Sequence, residues 1–331
     1  MRPRRQVPTG RSAGACDVTV PNVSGVPEGV GARGYVERVS SSIDQHPLRP
    51  EGDTGARQVR TALSPSRAGD FQSCPLLYRF RTIDRLPEPA SPAAARGTLV
   101  HSVLEDLFDL PADRRTLEAA AAMLPSRWAA LQEQDPRLTE LFTAEQAADE
   151  AAWLASATEL LGAYYSLEDP RWLEPAEREL RVDHELDSGL GLGGIVDRLD
   201  VAPDGRIRVV DYKTGRSPDP RFEDKALFQM KFYALVIWRT RGLMPTVLQL
   251  LYLADRTTLE YVPTESDLLS TERKLQALWD AIADCLERGE FRPRRSALCG
   301  WCAHQQTCPE FGGVAPPMPE LEIVPAGHRV D

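Results

Sequence analysis

The spacing of apolar positions along the chain changes from helical to alternating. Between about residues 64 and 166, apolar residues recur every three or four positions, which is the period of a helix with one buried face. A helix start is indicated at Ser64-Pro65, because serine caps helices and proline suits their first turn. Further helices are predicted over about 96–110, 115–134 and 143–166. The last two are Ala- and Glu-rich and predict a helical insertion at about 111–175.

Beyond Pro175 apolar and polar residues alternate, as in strands with one buried face. Turn signals at Asp187-Ser188-Gly189 and Pro203-Asp204-Gly205 separate the alternating stretches. The predicted elements are strands at about 180–186, 192–201 and 207–212, a helix at 222–241, a strand at 247–253 and a helix at 265–288. This order predicts an α/β fold in which a mixed central sheet is flanked by helices.

Both ends of the chain lack this periodicity. Residues 1–60 hold eight glycines and six prolines, so they bury too little apolar surface to offset the entropy of ordering. We expect a disordered extension over 1–60, a folded domain over 61–310 and an irregular, proline-rich tail over 311–331. We see no internal repeat.

Net charge first argues against a nucleic-acid partner. The 331 residues carry 39 Lys and Arg against 49 Asp and Glu, a formal net charge of -10, and phosphate neutralisation needs positive charge. The longest apolar run, 232–238, is far below the roughly 18–20 residues of a membrane helix. The basic start has no apolar stretch behind it, so we expect a cytoplasmic protein without a secretory signal or membrane span.

The acidity is regional, however. Residues 101–190 hold 20 acidic and 7 basic residues, whereas 206–256 hold ten basic against five acidic ones. A basic surface can therefore coexist with an acidic total, although exposed arginines often only solvate a protein face.

Two aspartates and a lysine stand at the ends of predicted strands. Asp197 and Asp211 could meet across a hairpin, and adjacent carboxylates favour a Mg²⁺ or Mn²⁺ ion between them. Lys213 shares the strand face of Asp211. Only four of the 39 basic residues are lysines, and arginine is used almost everywhere else. A lysine at this position therefore indicates a specific role. The competing interpretation is a turn with surface ion pairs to nearby arginines.

Three further polar residues lie on predicted helices. His101 precedes Glu105 by one turn, and its imidazole could complete a metal site or simply pack against the core. Gln229 and Tyr233 are spaced i, i+4, which by itself is also typical of an ordinary helix surface.

These segments together resemble the RecB-like nuclease branch of the PD-(D/E)xK superfamily. The matching motifs are Gly97-x3-His101-x3-Glu105, Gly193-Gly-Ile-Val-Asp197-Arg-Leu-Asp, Asp211-Tyr-Lys213-Thr-Gly and Gln229-x3-Tyr233. The resemblance covers about three quarters of the chain and implies a restriction-endonuclease-like core. Asp211 departs from it modestly, since many members carry Glu at that position.

The resemblance also implies roles for these residues. Asp197, Asp211, the Tyr212 carbonyl and His101 would bind one or two Mg²⁺ or Mn²⁺ ions. Lys213 would assist the hydrolytic water, with Asp197 and Asp211 as the other catalytic residues. Gln229 and Tyr233 would contact substrate and support the site.

Six cysteines are present, and four of them have metal-ligand spacing. Cys299-x2-Cys302-x5-Cys308 forms a tight run, and Cys74 lies far upstream. In a reducing cytosol metal ligation is favoured over disulfides, and the spacing allows Zn²⁺, with His304 as a further donor, or an iron-sulfur cluster. Several RecB-like nucleases hold a [4Fe-4S] cluster in this layout, which the resemblance implies here as a structural clamp.

The function expected from the resemblance is metal-dependent hydrolysis of DNA in repair or recombination. We expect an exonuclease acting on single-stranded DNA or DNA ends, because an Arg- and aromatic-lined channel can follow a strand without reading sequence. No Gly-x4-Gly-Lys-Ser/Thr loop occurs, so unwinding would need a helicase partner. The alternatives are a non-catalytic DNA-binding or assembly subunit of a helicase-nuclease or CRISPR-adaptation complex, and a zinc-stabilised hydrolase acting on another substrate.

Overall fold

The structure is a computed structural model that describes residues 56–143 and 146–327. Most of the predicted disordered extension, residues 1–55, lies outside the described residues. Within them, no helix is both long and apolar enough to cross a membrane.

A six-stranded mixed sheet forms the centre of the fold, as the alternating pattern predicts. Its strands are β2 (Ala62–Leu63), β3 (Glu177–Glu185), β4 (Gly191–Val201), β5 (Ile207–Lys213), β6 (Val247–Tyr252) and β7 (Thr257–Tyr261). They run in the order β2-β4-β5-β6-β7, and β3 pairs antiparallel with β4. The β4–β5 hairpin is antiparallel, whereas β5 and β6 are parallel because a helix crosses between them.

The helices agree closely with the apolar periodicity. They are α1 (Pro65–Ser73), α2 (Pro75–Tyr78), α3 (Pro92–Leu107), α4 (Leu117–Gln134), α5 (Ala147–Leu167), α6 (Glu223–Arg241) and α7 (Glu265–Arg288). Ser64 caps α1 by accepting a hydrogen bond from the Arg67 amide, as expected from the Ser-Pro start. A π-helical turn, Arg79–Ile83, continues α2.

The helices cover the sheet on both faces. One buried cluster joins the sheet to α1, α2, α6 and α7. A second cluster joins α3, α4 and α5 to the other face through Val210, Tyr212, Leu251 and Leu253. The predicted helical insertion therefore buries an apolar side of its own against α3 and the sheet, and it fixes the helix that carries His101.

Short strands at the two ends of the domain differ from the prediction. β1 (Arg57–Arg60) pairs in parallel with β8 (Leu321–Val324), so part of the expected extension and part of the expected irregular tail are ordered together. β7 was also not predicted. Strands of four or five residues give too few alternations for a pattern to be read from sequence.

Candidate active site

The polar residues singled out in the sequence converge at one end of the β4–β5 hairpin. α3 brings His101, β4 brings Asp197, β5 brings Asp211 and Lys213, and α6 brings Gln229. Asp211 and Lys213 lie on one strand face because successive side chains of a strand alternate.

Asp197 takes the place of a main-chain acceptor. Pairing between β4 and β5 stops at Arg198 and Val210, so Asp197 and Asp211 would be the next pair in register. There the amide of Tyr212 donates instead to Asp197 Oδ2, over 2.7 Å. His101 Nδ1 lies 3.4 Å from the same oxygen. The Asp197 carboxylate is thus fixed from a strand and a helix.

Asp211 is held by a lysine and an amide. Its Oδ2 lies 2.7 Å from Lys213 Nζ, and its Oδ1 accepts a hydrogen bond of 2.9 Å from Gln229 Nε2. Gln229 Oε1 in turn accepts a hydrogen bond of 2.8 Å from Lys213 Nζ. The amide of Gln229 therefore locks the relative positions of Asp211 and Lys213.

Burial and mutual repulsion shape the charges of this cleft. Burial, with the nearby charge of Asp197, raises the pKa of Asp211 to about 6. Burial also acts against the ionised form of Asp197, but His101 and the Tyr212 amide outweigh it and lower the pKa of Asp197. Burial opposes protonation of His101, yet Asp197 raises the pKa of His101 to about 9. One proton is thus strongly retained between the imidazole and the two carboxylates.

The cleft has a closed floor and an open side. The Asp211 side chain is only 3% exposed, whereas those of Lys213 and His101 are 31% and 28% exposed. Burial lowers the pKa of Lys213, but contact with Asp211 more than offsets this and raises it. Lys213 is a charged ammonium at neutral pH that faces the opening.

Three donor groups are placed to hold a cation. One ligand atom each of His101, Glu179 and Asp197 lies within 4.8 Å of the others. An imidazole with carboxylate oxygens suits a divalent ion such as Mn²⁺ or Mg²⁺. Asp211 stands beside this group, not within it, since Lys213 and Gln229 hold its carboxylate.

Sequence reasoning missed Glu179. The residue stands opposite Asp197, since its neighbours pair as Arg178 with Arg198 and Leu180 with Val196. Counting back from the predicted turn at 187–189 would have found this register. Burial and the charge of Asp197 raise the pKa of Glu179 to about 7.

Tyr233 is a supporting residue rather than an exposed one. It is 5% exposed, and its hydroxyl accepts a hydrogen bond of 3.1 Å from Gln229 Nε2. A Cβ on Gly194 would lie 2.7 Å from Tyr233 Cε1, so this glycine lets the ring pack against β4. The absence of a side chain at Gly194 therefore leaves room for the ring of Tyr233, whose hydroxyl contacts Gln229. Substrate contact by Gln229 or Tyr233 stays a prediction.

The Tyr212 side chain points to the other side of the sheet. Its hydroxyl accepts a hydrogen bond of 2.8 Å from Arg198, which is fully buried and paired with Glu168 and Asp200. The ring packs edge-to-face against His101 with 5.9 Å between centroids. Metal binding by the Tyr212 carbonyl stays a prediction.

Four cysteines converge where the residue before α2 meets the C-terminal cysteine run. The thiol of Cys74 accepts a hydrogen bond of 3.3 Å from the Arg294 amide, just before the C-terminal cysteine run. Burial raises the pKa of Cys308, and the nearby thiols of Cys74, Cys302 and Cys299 raise it further. The four residues therefore lie within electrostatic reach of one another, as their spacing suggests.

His304 is committed to another partner. Its Nε2 lies 2.8 Å from Glu88 Oε1, and its ring packs edge-to-face on Phe80. These contacts leave only 5% of the residue exposed. This placement argues against the alternative in which His304 completes a zinc site.

Known proteins that are similar to this chain include a curated phage protein and a bacterial crystal structure. The curated Gene 69 protein of Mycobacterium phage L5 is 29% identical over 136 residues, which are 40% of this chain and 44% of that protein. The chain thus matches less than half of the length of this relative. A crystal structure of a candidate exonuclease from Eubacterium rectale is 16% identical, with a TM-score of 0.48 over 74% of this chain and 88% of that one.

A family model gives the assignment. The model of the PD-(D/E)XK nuclease superfamily matches residues 62–309, which contain the described cleft and the four converging cysteines. Nucleases of this superfamily use divalent metals, in keeping with the donor group around Asp197. The chain belongs to the PD-(D/E)XK nuclease superfamily.

Proposed function

We propose that this protein is a Mg²⁺- or Mn²⁺-dependent deoxyribonuclease of the RecB-like branch. It removes nucleotides from single-stranded DNA or DNA ends, in repair or recombination. One observation carries the proposal: Asp211 and Lys213 share a face of β5 beside Asp197 and His101, with Asp211 buried and Lys213 and His101 partly exposed.

The proposed metal ligands are His101, Asp197, Asp211 and the Tyr212 carbonyl. When bound, a divalent cation neutralises charge on the phosphoryl group and makes water nucleophilic near neutral pH. The residues fit such an ion, because Asp197 and Asp211 repel each other without one and their oxygens are hard donors.

Lys213 is proposed to orient the attacking water and to neutralise charge developing on the phosphate. Its ammonium is aligned by Asp211 and by Gln229, at 2.7 and 2.8 Å. Because the contact with Asp211 raises its pKa, Lys213 stays protonated at neutral pH. It therefore donates hydrogen bonds and supplies positive charge, and it does not abstract the proton of the water.

The substrate proposal rests on the exposed segment directly before α6, the helix that carries Gln229. Arg221, which is also paired with Asp219 at 2.9 Å, lies over the exposed ring of Phe222, 5.9 Å from its centroid. A cation beside an exposed aromatic ring suits a strand whose bases are free to stack. Since the sequence contains no phosphate-binding loop for a helicase motor, unwinding of duplex is assigned to a partner.

We also propose a [4Fe-4S] cluster at Cys74, Cys299, Cys302 and Cys308. Burial raises the pKa of Cys308, and the other three thiols lie close enough to raise it further, so the four can share one metal group. The cluster is proposed over zinc because the layout resembles that of RecB-like nucleases and because His304, the further donor open to zinc, contacts Glu88. Such a cluster would join Cys74 to the C-terminal run and stabilise the domain.

The test uses end-labelled single-stranded, linear double-stranded and circular single-stranded DNA with Mg²⁺, Mn²⁺ or EDTA. We expect degradation of linear single strands with either metal, little attack on circles, and none in EDTA. Metal-independent binding without cleavage would contradict the proposal and would favour the non-catalytic subunit instead.

A further inference from the structure

Glu179 occupies an unusual backbone position in β3. Its φ is +44°, in the left-handed region, although the strand continues on both sides of it. A residue other than glycine pays for this conformation, and it persists only where the surroundings enforce it. Arg178 supplies part of that enforcement, because its guanidinium binds the Glu105 carbonyl and, at 2.8 Å, Asp109 Oδ1 of the α3 end.

The conformation leaves Glu179 beside two donor groups. One of its carboxylate oxygens lies within 4.8 Å of a ligand atom of His101 and of Asp197. Asp197 stands directly opposite it in the register of β3 and β4. The imidazole of His101 reaches the same place from α3, so the three donors come from three different elements.

Glu179 differs from the other carboxylates of the cleft in its partners. Asp211 is paired with Lys213 and Gln229, and Asp197 accepts from the Tyr212 amide. In the described part of the chain no side chain or amide donates a hydrogen bond to Glu179, and no lysine or arginine forms an ion pair with it. Two carboxylates, Glu179 and Asp197, held next to each other with one imidazole between them are unfavourable.

We propose that Glu179 is a ligand of the divalent cation, together with His101 and Asp197. The inference rests on the proposed function, which requires such a cation in this cleft. It adds a ligand from β3 that none of the sequence motifs contains. Among the described residues the His101 imidazole lies beside Glu179 but no lysine or arginine pairs with it, so the cation supplies charge that these carboxylates lack, and its binding offsets the cost of the left-handed backbone.

The experiment measures Mn²⁺ binding by the full chain, using the electron paramagnetic resonance signal of free Mn²⁺, alongside thermal unfolding with and without Mn²⁺. The variants are Glu179→Gln, which keeps shape but loses charge, and Asp197→Asn. Glu177→Gln is the matched control, since Glu177 lies two residues earlier on the same strand and is exposed. Glu179→Asn is a second variant, because asparagine tolerates a left-handed backbone.

We expect Glu179→Gln and Glu179→Asn to weaken Mn²⁺ binding at least about tenfold, with Glu177→Gln within twofold of wild type. The Mn²⁺-free melting temperature of Glu179→Gln should not fall, because among the described residues the carboxylate accepts no hydrogen bond and the substitution also removes its repulsion by Asp197. That combination separates a ligand from a merely structural residue.

Two results would overturn the inference. Unchanged Mn²⁺ affinity in both Glu179 variants, with weakened binding by Asp197→Asn, would remove Glu179 from the site and leave the proposed function intact. Absence of Mn²⁺ binding by the wild-type protein would overturn the proposed function and the inference together.

Discussion

The amide of Tyr212 donates a 2.7 Å hydrogen bond to Asp197 Oδ2 where main-chain pairing between β4 and β5 ends. The carboxylate thereby satisfies a donor that the sheet has left unpaired. The same contact opens the hairpin, so that Asp197 and Asp211 lie at a gap between strands instead of inside a ladder. His101 and Lys213 can therefore reach these carboxylates from the side.

The stability of the metal-free protein should decrease as pH rises from about 6.5 to about 9. Although burial opposes it, Asp197 raises the pKa of His101 to about 9, from 6.5. The stabilisation is fully present below pH 6.5 and is lost as pH rises through 9. Melting temperatures in EDTA across this range should fall more steeply for wild type than for His101→Gln. Parallel pH profiles of the two proteins would show that the His101–Asp197 contact contributes nothing.

Gly194→Ala should destabilise the fold and disturb the cleft. The added methyl would lie 2.7 Å from Tyr233 Cε1, and overpacking of this kind costs about 1–3 kcal/mol. Gly193→Ala is the control, because its Cβ would meet the Val182 carbonyl at 3.5 Å and Asp183 Cβ at 3.8 Å, both ordinary contact distances. Chemical denaturation of both variants measures the difference. Equal unfolding free energies would contradict close packing of the Tyr233 ring on β4.

Arg198→Met should lower stability by about 3–5 kcal/mol, because the nearly buried carboxylate of Glu168 loses its closest partner and keeps only Arg208, at 3.5 Å, as a paired cation among the described residues. Arg198 is fully buried and lies 2.8 Å from Glu168 and 3.1 Å from Asp200. For a domain of this size the melting temperature should fall by roughly 10 °C. Arg206→Met is the control, since the Arg206–Asp204 pair is exposed and contributes little. A fall no larger than that of the control would contradict the role of this buried network.

Cys74→Ser or Cys308→Ser should remove bound iron and the absorbance near 400 nm, and should lower the melting temperature. Cys285→Ser, on α7, should change neither property. Metal analysis and absorbance of anaerobically purified protein give the measurement. A colourless wild-type protein with stoichiometric zinc would overturn the iron-sulfur assignment.

Much of this architecture is predictable from the chain. The periods of apolar residues give α6 and α7 nearly to the residue and α3 within about four residues at each end, and the strand signals give the β4–β5 hairpin. Asp211 and Lys213 stand at the end of β5, as predicted, whereas Asp197 lies inside β4, four residues before its last residue. Alternation alone places Asp211 and Lys213 on one face, as the structure confirms.

The remainder depends on tertiary register and on contacts between distant segments. Glu179 acquires its place through the pairing of β3 with β4, whose register the turn at 187–189 indicates, and through a left-handed φ, which no local pattern signals. The partner of His304 is Glu88, 216 positions earlier in the chain. The pairing of β1 with β8 likewise joins the two ends of the domain.

The central claim is that Lys213 and its carboxylate neighbours form a hydrolytic site. Its most direct test is the single-turnover rate of cleavage of end-labelled single-stranded DNA with Mn²⁺, for wild type, Lys213→Ala and Lys225→Ala. Lys225 is exposed on α6 and is the matched control. We expect Lys213→Ala to be at least about 100-fold slower, with Lys225→Ala within twofold and all three proteins folded. Wild-type rates in Lys213→Ala would contradict the account.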